Sequence, residues 1–307
     1  MTRGVKRILL VGKNGQVGWE LQRTLAPLGE LVAVDRHGMD LTDPDSIRRV
    51  IRDARPNLIV NAAAYTAVDK AESELDIATA INGIAPGIMA EEAQRLGGAL
   101  VHYSTDYVFD GAKTQPYVED DPVNPLGVYG ASKLAGERAI QAVGGPHLIF
   151  RTSWVYGARG KNFLLTMLRL SKEREELKVV ADQIGAPTWS RMIAEMTSQV
   201  LACVAAPKGL QLSDVSGTYH LTGSGATSWF GFTQAILENV TQRAIAAAHP
   251  TAPQLPRLVP ITTRDYPTPA RRPKNSQMSN AKLARVFGLV SPTWDSQLHL
   301  CMRDVVV

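Results

Sequence analysis

Arg7-Ile8-Leu9-Leu10-Val11-Gly12-Lys13-Asn14-Gly15-Gln16-Val17-Gly18 is the stretch that decides the fold of this chain. The apolar run to Val11 reads as a buried strand, and the glycines at 12, 15 and 18 turn it into a helix reaching about residue 25. Glycine permits the tight turn and lets backbone N–H groups approach a pyrophosphate. The helix N-terminus adds donors and a favourable dipole. A glycine-rich turn without a ligand is the simpler alternative, and the strand before and helix after favour the dinucleotide reading. Gly12, Asn14, Gly15, Gln16, Val17 and Gly18 are therefore candidate cofactor contacts.

The same rhythm continues outward. Strands are expected at 31–35, 58–61, 99–104 and 147–151, and helices at 46–53, 76–96 and 132–141. Asp43-Pro44 is a start signal for the first of these helices. Near-continuous apolar strands alternating with helices predict an α/β fold, a Rossmann-type doubly wound parallel sheet covered on both faces. Beyond 151 the rhythm loosens into helices at 162–174, 193–204 and 230–239 and strands at 177–180 and 217–221. Residues 244–260 carry four prolines and read as an irregular excursion with no assignable role, and 266–273 as a proline-rich extended segment. The expected division is a dinucleotide-binding unit over 1–155, rejoined by a helix and strand from about 190–240. A smaller substrate lobe, mainly 156–307, interleaves with it.

Asp35 closes the second strand, where a carboxylate can hydrogen-bond the adenosine ribose and repel a 2′-phosphate. Arg36 follows and can pair with that phosphate, so NADPH and NADH both stay open. Asp40-Leu41 can reach the adenine edge, or Asp40 can cap the next helix. Ala62-Ala63-Ala64 ends the third strand, where small side chains let a nicotinamide lie close to the backbone; tight helix–sheet packing is the alternative.

Tyr129 and Lys133 are four residues apart and share a helical face. A phenol with a reference pKa of about 10 is a reluctant acid, and a nearby ammonium favours its phenolate. The lysine can also hold the nicotinamide ribose, so Tyr129 and Lys133 are candidate cofactor contacts as well. Such a pair, placed after four βα units, indicates hydride transfer with tyrosine as proton donor. Thr105 follows the strand at 99–104 and can donate to a reacting carbonyl oxygen beside Tyr129. Tyr107 and Phe109 are read as packing the loop.

A hydrophobic fraction of 45% and a charged fraction of 20% place the chain among ordinary globular proteins. No apolar run is long enough for a bilayer and no leader is read, so a cytoplasmic protein with no membrane association is expected. The net charge of +4 is uneven, with an acidic excess over 1–150 and a basic excess over 151–307. No dense basic run points to nucleic acid. A basic second half suits an anionic small molecule, with Arg271, Arg272 and Lys274 as candidates, or is merely a solvated surface. Cys203 and Cys301 fit no metal spacing.

These residues resemble the extended short-chain dehydrogenase/reductases, and among them the dTDP-4-dehydrorhamnose reductase family. The likeness runs almost end to end. It is carried by the glycine loop through Leu21, Ala67-Val68-Asp69-Lys70-Ala71-Glu72, and the run from Ser104 to Gly111. Arg151-Thr152-Ser153-Trp154-Val155-Tyr156, Asp182-Gln183-Ile184-Gly185-Ala186-Pro187-Thr188 and Tyr266-Pro267-Thr268-Pro269-Ala270 extend it. The resemblance implies NAD(P)H-dependent reduction of the C4 ketone of dTDP-4-dehydro-β-L-rhamnose, with Thr105, Tyr129 and Lys133 as the catalytic set. It implies substrate contacts from Thr105, Asp106, Tyr129 and Trp154. Cofactor contacts are implied at the glycine loop, Asp35, Asp40, Leu41, Ala64, Tyr65, Thr66 and Tyr103. Some family members pair through Mg²⁺ held by carboxylates. Glu20 and Asp295 stand at two matching positions, but Arg191 stands at the third, where a cation opposes a cation. A metal-free monomer is therefore favoured, with a dimer open. Two rivals remain: an epimerase or dehydratase of the same superfamily, and a dinucleotide-binding regulatory subunit without activity. Dehydratases often carry an Asp-Glu pair where this chain has Asp106-Tyr107.

Overall fold

The computed structural model describes residues 7–205, 211–246 and 254–305. Six strands form one sheet: β1 (Arg7–Val11), β2 (Glu30–Val34), β3 (Leu58–Asn61), β4 (Ala99–Thr105), β5 (His147–Thr152) and β6 (Gly217–His220). Their order is β2-β1-β3-β4-β5-β6, with every pairing parallel. Alternate residues of a strand face opposite sides of a sheet. Ile8 and Leu10 thus enter one apolar cluster, and Leu9 and Val11 the other. Helix α1 (Gln16–Leu25) and a later helix, Ser190–Ala205, close the first face with Leu21, Leu25, Ile193 and Val200. Helices α2 (Pro44–Ala54), α3 (Ala85–Arg95) and α4 (Val128–Val143) close the second with Ile47, Ile51, Met89 and Ile140. This is the expected doubly wound α/β sheet.

The chain passes from β2 back across β1 to reach β3. The loops leaving the carboxyl ends of β1 and β3 therefore diverge, and the crevice between them is where such sheets take ligands. The turn at 12–18 and the run Ala62-Ala63-Ala64 both leave that edge. A further apolar cluster, built on Tyr156, Leu164, Trp189, Phe232, Ile236 and Leu298, supports the later part of the chain beside it.

Several boundaries differ from the sequence reading. Helix α4 begins at Val128, so Tyr129 lies in its first turn. The single helix expected over 76–96 is broken into Leu75–Thr79, a π-turn over Ala80–Ile84, and α3. Pro86 has no N–H to give the carbonyl of Asn82, and the helix widens there. The region 244–260 is not a structureless excursion. One helix runs over Trp229–Ala246, and Arg257–Ile261 is a strand pairing in parallel with Glu176–Val180. Pro260 is tolerated because this is a two-stranded ribbon, in which an outward-facing edge needs no N–H. Residues 247–253 lie outside the described residues. Helices Ala281–Phe287 and Trp294–Asp304 were not read from sequence at all.

One buried ion pair joins the sheet to α4. Arg151 of β5 donates Nε and Nη2 to Glu137 at 3.0 and 2.7 Å, and both side chains are almost wholly buried. Removing one partner strands the other charge in the interior, at a cost of roughly 3–5 kcal/mol. Arg151→Met should lower stability to urea by that amount, whereas adding Glu137→Leu to it should recover most of the loss.

Candidate active site

The turn after β1 is a backbone cradle. Gly12 has φ 89°, and a Cβ on it would lie 2.7 Å from the Ala63 nitrogen. A Cβ on Gly18 would lie 2.0 Å from the Gly12 carbonyl oxygen, so only glycine lets α1 seat this closely. Gly15 caps α1 without any side-chain hydrogen bond, which leaves the first-turn N–H groups for a ligand. Asn14, Gln16 and Val17 belong to this turn. Such a cradle fits a dinucleotide pyrophosphate.

The residues expected at the adenosine follow β2. The Asp35 carboxylate accepts from the N–H groups of His37 and Gly38 and from Asn14 Nδ2, and the Lys13 ammonium lies 3.7 Å away. The His37 N–H does most to hold its pKa below the usual carboxylate range. Arg36 is exposed beside it. Asp40 does not cap α2; Asp43 does, accepting from Asp45 N at 2.9 Å. Asp40 instead takes the Thr42 hydroxyl and N–H, which lower its pKa. Leu41 packs against the cluster beneath.

After β3, Ala62, Ala63 and Ala64 lead into Tyr65 and the exposed Thr66. Buried Asn82, in the π-turn, grips Tyr65 from both sides, accepting its N–H and donating to its carbonyl, and donates also to Ser132 of α4. The Tyr65 hydroxyl donates to Glu74. Tyr103 turns its ring into the core, where its hydroxyl meets Thr197 at 2.8 Å.

Helix α4 carries the proposed proton donor. Its N-terminus is capped by Glu72, which accepts the Val128 N–H at 2.9 Å. A Cβ on Gly130 would lie 2.2 Å from the Tyr107 carbonyl oxygen, so this glycine lets α4 lie against the turn after β4. The Thr105 hydroxyl donates to Asp106 Oδ1 at 3.0 Å and accepts the Tyr107 N–H at 3.2 Å, on the turn against which Tyr129 packs. Burial pushes Tyr129 up to about 12, with Thr105 opposing and Asp106 adding to the rise. Tyr107 presents its ring edge-on to Tyr129, with centroids 5.4 Å apart, and Phe109 is buried against Tyr117. Lys133 shares the helical face but its Nζ does not turn to Tyr129. Nζ donates to the Tyr103 carbonyl at 2.6 Å and lies 3.0 Å from His102 Nε2. Burial lowers Lys133 to about 7, against the pull of Glu137.

The opposite wall comes from the later part of the chain. Trp154 is held at φ 47°, a conformation rare for a bulky residue. Its ring stacks on Trp229 at 3.5 Å, and a Cβ on Gly185 would lie 2.4 Å from it. Gly185 thus leaves the slot that the indole fills.

The sequence model of the RmlD substrate binding domain matches residues 6–307. The dTDP-4-dehydrorhamnose reductase of Burkholderia thailandensis is 53% identical over 300 residues, covering 98% of this chain and 99% of that protein. That of Escherichia coli K12 is 48% identical over 302 residues, covering 97% of each. The chain belongs to the RmlD family. Among solved structures similar to this RmlD-family chain is the dTDP-4-dehydrorhamnose reductase of Bacillus anthracis in complex with NADP. It superposes with a TM-score of 0.86 at 35% identity, covering 98% of this chain and all of that one. The Clostridium acetobutylicum reductase gives 0.86 at 36% identity, covering 97% and 98%.

In this RmlD-family chain the anion candidates divide. Arg272 is taken up by Asp69, with Nη2 at 2.9 Å, while Arg271 and Lys274 are exposed. Arg191 reaches Glu20 at 3.2 Å and Asp304 at 2.8 Å. The acid beside the arginine is therefore Asp304, not Asp295. Sequence reading missed Asn82, Glu72, His102, Asn61, Gly185 and Trp229. Of these, only Gly185 and Glu72 stood inside a quoted motif.

Asp106 yields a stability prediction. Burial raises its pKa from 3.8 to about 6, with the Ser276 and Thr105 hydroxyls opposing. A carboxyl raised on folding stabilises the fold only while protonated, and that support is lost as pH rises through 6. Asp106→Asn should therefore stabilise the protein at pH 8 by up to about 3 kcal/mol, read from urea unfolding. The gain should shrink below pH 6 and vanish near pH 4.

Proposed function

We propose that this chain uses NADPH or NADH to reduce the C4 ketone of dTDP-4-dehydro-β-L-rhamnose to dTDP-L-rhamnose, the last step of dTDP-rhamnose synthesis. The observation that carries the reading is Tyr129 packed on the turn that bears Thr105, with a glycine cradle at the same sheet edge, in a chain similar end to end to reductases of that name. The nicotinamide, when bound, supplies the hydride. Tyr129 gives its phenolic proton to the C4 oxygen as negative charge develops there. A phenol held up to about 12 is fully protonated near neutral pH, the form that reduction requires. Thr105 shares the oxyanion charge through a second hydrogen bond. The turn at 12–18 holds the pyrophosphate, Asp35 the adenosine ribose, and the small residues 62–64 leave room for the nicotinamide. Trp154, braced by Trp229, forms an apolar wall for the deoxysugar, with Asp106 accepting from a sugar hydroxyl. Arg271 and Lys274 are placed to attract the diphosphate.

The protein acts as a monomer, without Mg²⁺, in the cytoplasm. The Arg191 bridge between Glu20 and Asp304 supports the metal-free reading, since a cation already sits between the two acids. Among the described residues no helix is long and apolar enough to cross a membrane.

Loss of reduced-nicotinamide absorbance, dependent on the keto-sugar and yielding dTDP-L-rhamnose, is the expected result with the purified protein. No loss with either cofactor, in protein that binds one, would overturn the assignment. Tyr129→Phe should lower kcat by about 10²- to 10⁴-fold while leaving cofactor affinity unchanged. Unchanged turnover would remove Tyr129 from the proton-donor role.

A further inference from the structure

A buried chain of hydrogen bonds beneath the site has only one consistent set of proton positions. Asn61, at the end of β3, accepts the backbone N–H of Ala63 on Oδ1 at 3.1 Å. Its amide nitrogen, purely a donor, then faces His102 Nδ1 at 3.1 Å. Nδ1 is therefore the bare nitrogen, and the neutral ring carries its proton on Nε2. Nε2 lies 3.0 Å from Lys133 Nζ. An N–H at that position needs a lone pair opposite it, which an amine has and an ammonium lacks. The amine still has hydrogens with which to bond the Tyr103 carbonyl. Turning the Asn61 amide over would set two donors face to face at Ala63. Protonating His102 would set two donors face to face at Asn61.

We propose that His102, oriented by Asn61, is a positioning residue that keeps Lys133 a neutral amine turned onto β4, and that dinucleotide binding draws one proton from solvent onto Lys133 as it leaves this contact. This rests on the reading that the cleft takes a nicotinamide dinucleotide. A charged Lys133 has no acceptor at His102, so charge and position change together; the ribose hydroxyls of a dinucleotide offer the acceptors that His102 does not. The groups around Nζ are His102 and Tyr103 from β4, Asn61 from β3, and Glu137 from α4 itself. Glu137 favours the ammonium but is engaged by Arg151. Burial outweighs it and brings Lys133 to about 7. Burial holds His102 well below its ordinary range, so it stays neutral. Tyr129 meanwhile keeps its proton, and the acid is loaded before the cofactor arrives.

The sign follows from a free-state value of about 7 that rises on binding. At pH 8 the free amine is mostly neutral and binding takes up a proton; at pH 6 it is already charged and uptake is small. Linkage then weakens cofactor affinity by about tenfold per pH unit above 7. The test is calorimetric titration with NADH, which has no titrating 2′-phosphate, in two buffers of different ionisation enthalpy at pH 8 and pH 6. About one proton per site at pH 8 and little at pH 6 is expected for the natural chain. His102→Gln offers a carbonyl that accepts from an ammonium, so uptake at pH 8 should fall below that of the natural chain, burial alone still favouring the amine, with thermal unfolding unchanged. No uptake by the natural chain at pH 8, or full uptake by His102→Gln, would overturn the proposal. A chain that binds no NADH or NADPH at all would overturn the cofactor reading and the proposal together. The ¹⁵N spectrum of the natural chain, labelled in histidine, gives an answer that needs no variant. His102 should be protonated on Nε2 and bare on Nδ1 at pH 8, and the opposite tautomer would refute the assignment.

Discussion

The turn after β1 and the strand end after β3 meet with no room for a side chain between them. A Cβ at Gly12 collides with the Ala63 backbone, and one at Gly18 collides with Gly12 itself. This contact brings α1 down onto the sheet edge and leaves its first-turn N–H groups facing the crevice at the topological switch. The rest of the site is arranged around that edge. Asp35 lies at the end of β2, Ala62-Ala63-Ala64 at the end of β3, and Thr105 at the end of β4. A parallel sheet delivers all of these strand ends to one side, so a cofactor laid across them meets every strand in turn.

Helix α4 is fixed in that frame by contacts of several kinds. Glu72 caps its N-terminus, Gly130 allows it onto the turn after β4, Ser132 receives Asn82, and Glu137 is locked to Arg151. The first of these sets the position of Tyr129, and the last holds the buried half beneath Lys133. Polar groups with unique partners make a helix position all-or-none, because a small slide leaves a buried donor or charge without its mate. A proton donor needs that rigidity, since its hydrogen bond to the reacting oxygen tolerates little error.

The placement of Lys133 gives the tyrosine–lysine pair a state that spacing alone does not reveal. Four residues on a helix bring two side chains to one face. They do not say which neighbour a long flexible side chain will choose, and here the amine chooses β4 over the phenol. The choice follows from desolvation. A buried ammonium is costly, whereas a buried amine with two matched partners is not.

The sequence by itself determined the sheet, the glycine turn and the helical face that Tyr129 and Lys133 share. Buried parallel strands are near-continuous apolar runs, glycine spacing encodes a turn, and a four-residue interval encodes a shared face; all are local signals. It also carried the family, through motifs spread over most of the chain. Only the tertiary structure decided that 257–261 is a strand, because prolines mask β-pairing whose stability comes from a partner some eighty residues away. It alone brought Asn61 to His102, Glu72 to α4, and Trp229 to Trp154. These contacts join residues whose separation in sequence has no periodicity, and what selects them is the matching of donors, acceptors and ring faces once the strands are in register.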